Sequence, residues 1–131
     1  MRRSFKDLQQ YYDMRKLRGI SSADGHGYLY AYVDNHTWKV GMTNDFVRRQ
    51  EEWDKDCPCP WRIWLPPIRV ANRRRAETLA HLLLEMECLD RPRIYCQSCQ
   101  RVHIEKFVFL GPWNVVWNTT VHPIFLRAAV S

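Results

Sequence analysis

The sequence of 131 residues contains no run of 18 apolar residues, which excludes a transmembrane helix. No apolar run follows its basic start (Met1 to Lys16), which argues against a secretory signal. The expectation is an intracellular protein, nuclear if its source is eukaryotic, with no membrane partner. Internal repeats and low-complexity segments are also missing, and the length suits one modest core. Acidic residues are in deficit: 14 Asp and Glu stand against 20 Lys and Arg, a net charge of +6. Such a balance attracts polyanions, of which nucleic acid is the commonest. Five cysteines supply only one C-x-x-C pair, Cys96 and Cys99. In a reducing compartment they are expected as thiols or metal ligands rather than disulfides.

What is present argues for a packed globule: 46% of residues are hydrophobic and 13% aromatic, well above a disordered tail. Residues 3 to 17 carry Phe5, Leu8 and Tyr12 at helical spacing, with Gly19 as a stop. Residues 21 to 27 (SSADGHG) read as a linker. GYLYAYV (27 to 33) and WKVGM (38 to 42) read as two strands, and the DNHT turn between them is short enough to require an antiparallel hairpin. Thr43 or Asn44 is the expected cap of the next helix, where Phe46, Arg49, Gln50 and Trp53 share one face and Arg48 points elsewhere. An arginine aimed inward between aromatic anchors is costly unless a partner uses it.

WRIWLPPIRV (61 to 70) reads as a strand broken by Pro66 and Pro67. Residues 73 to 88 form the clearest helix, with a core stripe at Ala76, Leu79, Ala80 and Leu83 and a ridge at Glu77, His81 and Cys88. His103 to Leu110 alternates as a last strand, with His103 and Glu105 on one face. The tail from Pro112 reads as an appended helix interrupted by Pro123. The expected fold is α+β: a small three- to four-stranded, mainly antiparallel sheet flanked by helices. It comprises an N-terminal helical extension (1–20), a central domain (26–110) and a C-terminal helical appendage (111–131).

The order of hairpin, arginine-bearing helix and glutamate-bearing helix resembles the GIY-YIG nuclease superfamily. GYLY and KVGMT stand where its two strand motifs stand, Arg49 where its helix arginine does, and Glu77 where its metal-binding glutamate does. The sequence is more similar to a branch of phage and fungal proteins called a phage-type DNA-binding domain. That branch is carried here by GYLY, KVGMT, Arg49 with Trp53, AETLAH and HIEKF, with Cys96 and Cys99 before the last motif, over residues 27 to 109. Two positions depart from the superfamily: Lys39 replaces its second tyrosine and Trp53 its usual histidine.

The resemblance implies DNA as partner and Tyr30, Lys39, Arg49, Glu77 and His81 as the catalytic group. Glu77 would hold Mg²⁺ or Mn²⁺, an ion that binds through one or two carboxylates. Arg49 suits the charge developing on a phosphate because its planar fork bonds two oxygens. Tyr30 would orient or deprotonate water, with Lys39 lowering its pKa or binding phosphate. The bland readings are a structural ion pair between Arg49 and Glu77, and a core-edge His81 bonded to a backbone carbonyl. Arg3, Lys6, Arg48, Arg73, Arg74 and Arg75 are the candidate DNA-binding cations, each of which is equally readable as part of a solvated face.

Cys96, Cys99 and His103 have a spacing that zinc accepts. A fourth ligand is needed, with Cys88, Cys57, Cys59 and His81 as candidates, Cys88 lying only eight residues before Cys96. Three functions fit these features: a metal-dependent DNA endonuclease, a non-catalytic DNA-binding module, or a zinc-stabilised protein-interaction domain. Both monomer and dimer are compatible with the sequence.

Overall fold

A computed structural model describes all 131 residues. Its elements run α1 (Phe5–Leu17), β1 (Gly27–Asp34), β2 (Thr37–Thr43), α2 (Phe46–Asp56), β3 (Ile63–Trp64), β4 (Ile68–Val70), α3 (Arg73–Glu87), β5 (Ile94–Cys96), β6 (Arg101–His103), β7 (Lys106–Val108), α4 (Trp113–Val116), a π-helical turn (Trp117–Val121) and α5 (His122–Ala129). The expected α+β class holds. All strand pairs are antiparallel, and the main sheet has five strands.

The β1–β2 hairpin is the spine. Its register sets Tyr30 opposite Gly41 and Tyr32 opposite Lys39. Because side chains alternate along a strand, β1 presents two different faces. Leu29, Ala31 and Val33 point into the main core, together with Trp38 and Val40 of β2 and Leu79, Ala80 and Leu83 of α3. Tyr30 and Tyr32 point the other way and form a second cluster with Trp53 of α2 and Cys57. A Cβ on Gly41 would lie 2.5 Å from the Tyr30 hydroxyl oxygen, so only glycine lets that ring lie across β2.

The Pro66–Pro67 break falls where expected. It divides the third strand into β3 and β4, which both pair with β1, at opposite ends of that strand. α2 is capped by the side chain of Asp45, which accepts from the Arg48 N–H, rather than by Thr43 or Asn44. α3 has no side-chain bond from its own cap, Asn72. Instead the Asp24 carboxylate reaches across from the linker and accepts from the N–H groups of Arg74 and Arg75.

Two expectations about the C-terminal half change. The strand foreseen over His103 to Leu110 is interrupted at Ile104 and Glu105, so His103 lies in a separate β5–β6 ribbon while β7 joins the main sheet. The two residues therefore do not share a strand face. Pro123 does not interrupt the tail either. The chain widens into a π-helical turn over Trp117–Val121, and Pro123 falls in the first turn of α5, where a missing N–H is tolerated.

Trp117 stacks on Trp38, with ring centroids 6.5 Å apart. Leu8 and Tyr12 of α1 and Phe125 of α5 are buried in the same core as the sheet. Burying each such large apolar side chain contributes roughly 1.5–3 kcal/mol. α3 is thus held on both flanks as well as by the sheet, a rigid support for whatever it carries.

Candidate active site and metal centre

α2 carries Arg49 and Trp53, and its C-cap is Cys57; at i, i+4 and i+8 they form one stripe turned toward the tyrosine face of the sheet. The Tyr30 hydroxyl oxygen accepts two hydrogen bonds, from Trp53 Nε1 at 2.9 Å and from Arg49 Nε at 3.3 Å. Burial raises the Tyr30 pKa, against the pull of these two donors. The hydroxyl therefore stays protonated at neutral pH and fixes Arg49. The nearest acid to Arg49 is Glu52 on its own helix, at 3.4 Å, so the alternative Arg49–Glu77 ion pair is not formed.

Lys39 is only 4% exposed, and its ammonium pairs with Glu105 at 3.2 Å. Burial lowers its pKa, while the Glu105 charge raises it. Lys39 thus serves Glu105 rather than tuning Tyr30, contrary to one expectation. A pocket of about 190 Å³ is lined by Lys39, Arg49 and Arg101 together with Glu52, Asp56 and Glu105, with Trp53 and His103 between them. Tyr30 lies beneath its arginine rather than in its wall.

At the rim of this pocket, along the β2 edge, the β7 ladder ends: it pairs with β2 only over Thr37 to Lys39, and the Val40 N–H then donates to the Glu105 carbonyl. Three side chains gather along that edge. Glu77 and His81 come from α3, one turn apart, and Glu105 from the link between β6 and β7; one donor atom of each lies within 4.8 Å of the others. Burial and the neighbouring Glu105 charge push Glu77 up to about 7. His81 Nε2 lies 2.8 Å from the Val40 carbonyl, which only accepts, so Nε2 carries the proton. Burial drives the imidazole down to about 4, leaving it neutral with Nδ1 as its acceptor. His81 is therefore both a carbonyl-bonded histidine and a member of the cluster.

On the other side of the pocket, Cys57 meets Cys96, Cys99 and His103. Cys57 Sγ lies 3.4 Å from Cys96 Sγ and 3.6 Å from His103 Nε2, and Cys99 Sγ lies 3.4 Å from that nitrogen. A tetrahedral zinc with ordinary bond lengths would hold such donors about 3.5–3.8 Å apart. This Cys₃His cluster has the chemistry and spacing to bind a metal such as zinc. Burial and the adjacent thiols push Cys57 up to about 12, whereas hydrogen bonding from the Cys99 backbone holds Cys96 down at about 6. The fourth member is Cys57, not Cys88. Cys88 is buried at the end of α3 and bonded to the Glu85 carbonyl, because the ribbon folds over α2 and not over α3.

One family model matches residues 25–116, about two thirds of the chain. The chain belongs to the T5orf172 domain family. This is a phage-associated domain in a group related to GIY-YIG and HNH endonucleases. No curated protein and no solved structure matches the chain. The T5orf172 match takes in the hairpin, α2, α3 and both side-chain clusters, and leaves α1 and α5 outside it.

The expected basic residues separate. Arg75 donates to the carbonyls of Arg15, Lys16, Arg18 and Ser131, tying the end of α1 to α3. Arg3 is bonded to Glu85. Arg75 is structural, since its donors are committed, while Arg3 keeps Nη1 unbonded. Arg73 packs against Gly27 and bonds the His26 carbonyl. Lys6, Arg48 and Arg74 are exposed. Two contributors had not been singled out. Arg62 stacks 4.3 Å from the Tyr32 ring centre and donates to the Cys57 carbonyl, and Arg101 lines the pocket opposite α2. The i, i+4, i+8 spacing of Arg49, Trp53 and Cys57 was the available signal for Cys57.

Proposed function

We propose that this domain binds DNA across the Lys39–Arg49–Arg101 pocket and hydrolyses a phosphodiester with the help of one Mg²⁺ or Mn²⁺ ion at Glu77. The observation that carries this reading is Glu77 itself. Burial and a second carboxylate push it to about 7 despite the opposing pull of Lys39, the Met42 N–H and Arg49, and it clusters with Glu105 beside a pocket lined by Lys39, Arg49 and Arg101 as well as by Glu52 and Asp56. The donor set is hard, as magnesium requires. His81 Nε2 is spent on Val40, so Glu77 and Glu105 are the fitting ligands.

When bound, the ion would polarise the phosphate and stabilise the leaving oxygen. Arg49, aimed by Tyr30 and Trp53, neutralises charge developing on the phosphate oxygens. Lys39 holds Glu105 in place and supplies positive charge. Tyr30 is a positioning residue in this scheme and not the base, since burial keeps its hydroxyl protonated. The placing of Tyr30, Gly41, Arg49 and Glu77 supports assignment to the GIY-YIG superfamily itself. The Cys₃His cluster is inferred to hold structural zinc, which clamps the ribbon carrying Arg101 to the helix carrying Arg49.

A second reading, DNA binding without cleavage, is favoured by Lys39: its ammonium already neutralises Glu105 without a metal. Incubation of supercoiled plasmid with the zinc-loaded protein and Mg²⁺ or Mn²⁺, beside Glu77→Gln, separates the two. Nicking by the wild type alone supports the enzyme. Equal nicking by both proteins, or a gel shift without nicking by either, removes it.

A further inference from the structure

We infer that α1, which lies outside the matched family region, builds with α3 a second phosphate-binding groove that extends the track of the same DNA strand. The inference rests on the DNA-binding reading above. Between α1 and α3 lies a hollow of about 370 Å³ lined by Arg3, Arg15, Arg18 and Arg91, together with Thr78, His81 and the apolar surfaces of Tyr11, Met14 and Leu82, and with no acidic side chain in its wall. Arg3 and Arg91 share a single carboxylate, Glu85, which leaves one of those two positive charges uncompensated. Arg15 and Arg18 form no ion pair and donate no side-chain hydrogen bond, and the Arg15 Nε is buried without a partner. Four guanidinium groups facing one hollow against one carboxylate is unfavourable for the fold alone, since like charges repel and a buried donor is left unmade. A phosphodiester oxygen would relieve both, and guanidinium forks match phosphate geometry.

The hollow adjoins the candidate active site through one side chain. His81 lines it and also stands within ligand distance of Glu77 and Glu105. Glu105 in turn lines the pocket that holds Lys39 and Arg49, and Arg91 bonds the carbonyl of Ile104, the residue before Glu105. A strand laid across the acidic cluster would therefore meet cations on both sides of it. This continuity selects a nucleic-acid backbone over an isolated anion. The groove carries no base-reading geometry, so its contribution is to affinity and register rather than to sequence choice.

The test is fluorescence anisotropy with a 20-base-pair duplex in Ca²⁺ over a salt series, comparing wild type, Arg15→Gln/Arg18→Gln, Arg18→Gln alone, and Lys55→Gln, an exposed lysine outside both hollows. Each lost phosphate contact should lower the slope of log K against log salt by about 0.9. The expected result is a slope reduced by about 1–2 in the double variant and about 1 in Arg18→Gln, with roughly tenfold weaker binding at fixed salt and little change in Lys55→Gln. Arg18→Gln removes a side chain without bonds, so it reports even if the double variant folds poorly. Steep wild-type binding with unchanged slopes in both arginine variants overturns the groove and leaves the DNA reading standing. Binding of inorganic phosphate in the hollow, seen by NMR shifts of Thr78 and Arg91, with unchanged DNA slopes also overturns it. A wild type that binds no duplex removes the DNA reading, and the groove with it.

Discussion

Two glutamates on α3, two turns apart, occupy opposite environments. Glu85 is 1% exposed and accepts from the Arg3 backbone N–H at 2.7 Å, from the Arg3 guanidinium, and from Arg91. Burial alone would raise its pKa, but these donors hold it at about 2. Glu77 has no guanidinium bonded to it, and burial and the Glu105 carboxylate outweigh the pull of Lys39, the Met42 N–H and Arg49, so that it is pushed to about 7. Side chain and helix are the same, and only the neighbours differ. A fully bonded buried carboxylate is a structural tie, whereas one whose burial is not offset by its neighbours is held ready for a further cation.

The largest effects should come from exchanging these roles. Glu77→Gln is expected to lower the nicking rate at least 10²-fold, as loss of a group that stabilises transition-state charge does, without lowering Tm. Glu85→Gln should leave nicking within a few-fold but reduce stability by about 3 kcal/mol at pH 7, because the Glu85 shift spans about two and a half units. If Glu85→Gln abolished nicking in a well-folded protein, the division between the two glutamates would fail.

The pH dependence sharpens the same contrast. The folded pKa of Glu85 is depressed, so its stabilisation is present above about pH 4.5 and is lost as pH falls from there through about 2. The folded pKa of Glu77 is raised, so the folded state holds an extra proton and stability should decline as pH rises from about 4.5 through 7 in Mg²⁺-free buffer. Urea unfolding of wild type and Glu77→Gln across pH 4 to 8 checks this. The decline should disappear in the variant, and an identical decline in both would contradict it.

The Cys₃His cluster should behave as a third case, structural like Glu85 but dependent on an ion. Cys96→Ser or chelation should remove about one zinc per chain and lower Tm in a zinc-dependent way, while Cys88→Ser should leave zinc content unchanged. The smallest expected effect is that of Trp53→Phe. It removes one of the two donors to the Tyr30 hydroxyl and should cost about 1 kcal/mol in stability, with a modest loss of nicking through Arg49.

The sequence made legible those parts of the molecule that rest on local period. The hairpin, α3 with its core stripe, and the inward stripe of α2 follow from spacing alone, and so does the proline break between β3 and β4. The parts that depend on distant partners were hidden. Cys57 joins Cys96 and Cys99 only because the β5–β6 ribbon folds back over the end of α2. Arg3 and Arg75 read as solvent-facing cations until Glu85 and the carbonyls at the end of α1 claim them. His103 and Glu105 read as neighbours on one strand until the chain breaks between them, delivering one to the thiols and the other to Lys39. Long-range contacts of this kind leave no periodic trace.

The proposed hydrolysis depends on a divalent ion at Glu77 that contacts a DNA phosphate. Cleavage of an oligonucleotide with sulfur replacing a non-bridging oxygen at the scissile phosphate tests it most directly, because Mg²⁺ binds sulfur poorly and Mn²⁺ binds it better. The expected result is slowed cleavage in Mg²⁺, restored by Mn²⁺ in the wild type and not in Glu77→Gln. Equal rates for oxygen and sulfur substrates in Mg²⁺, or restoration that survives Glu77→Gln, would contradict that dependence.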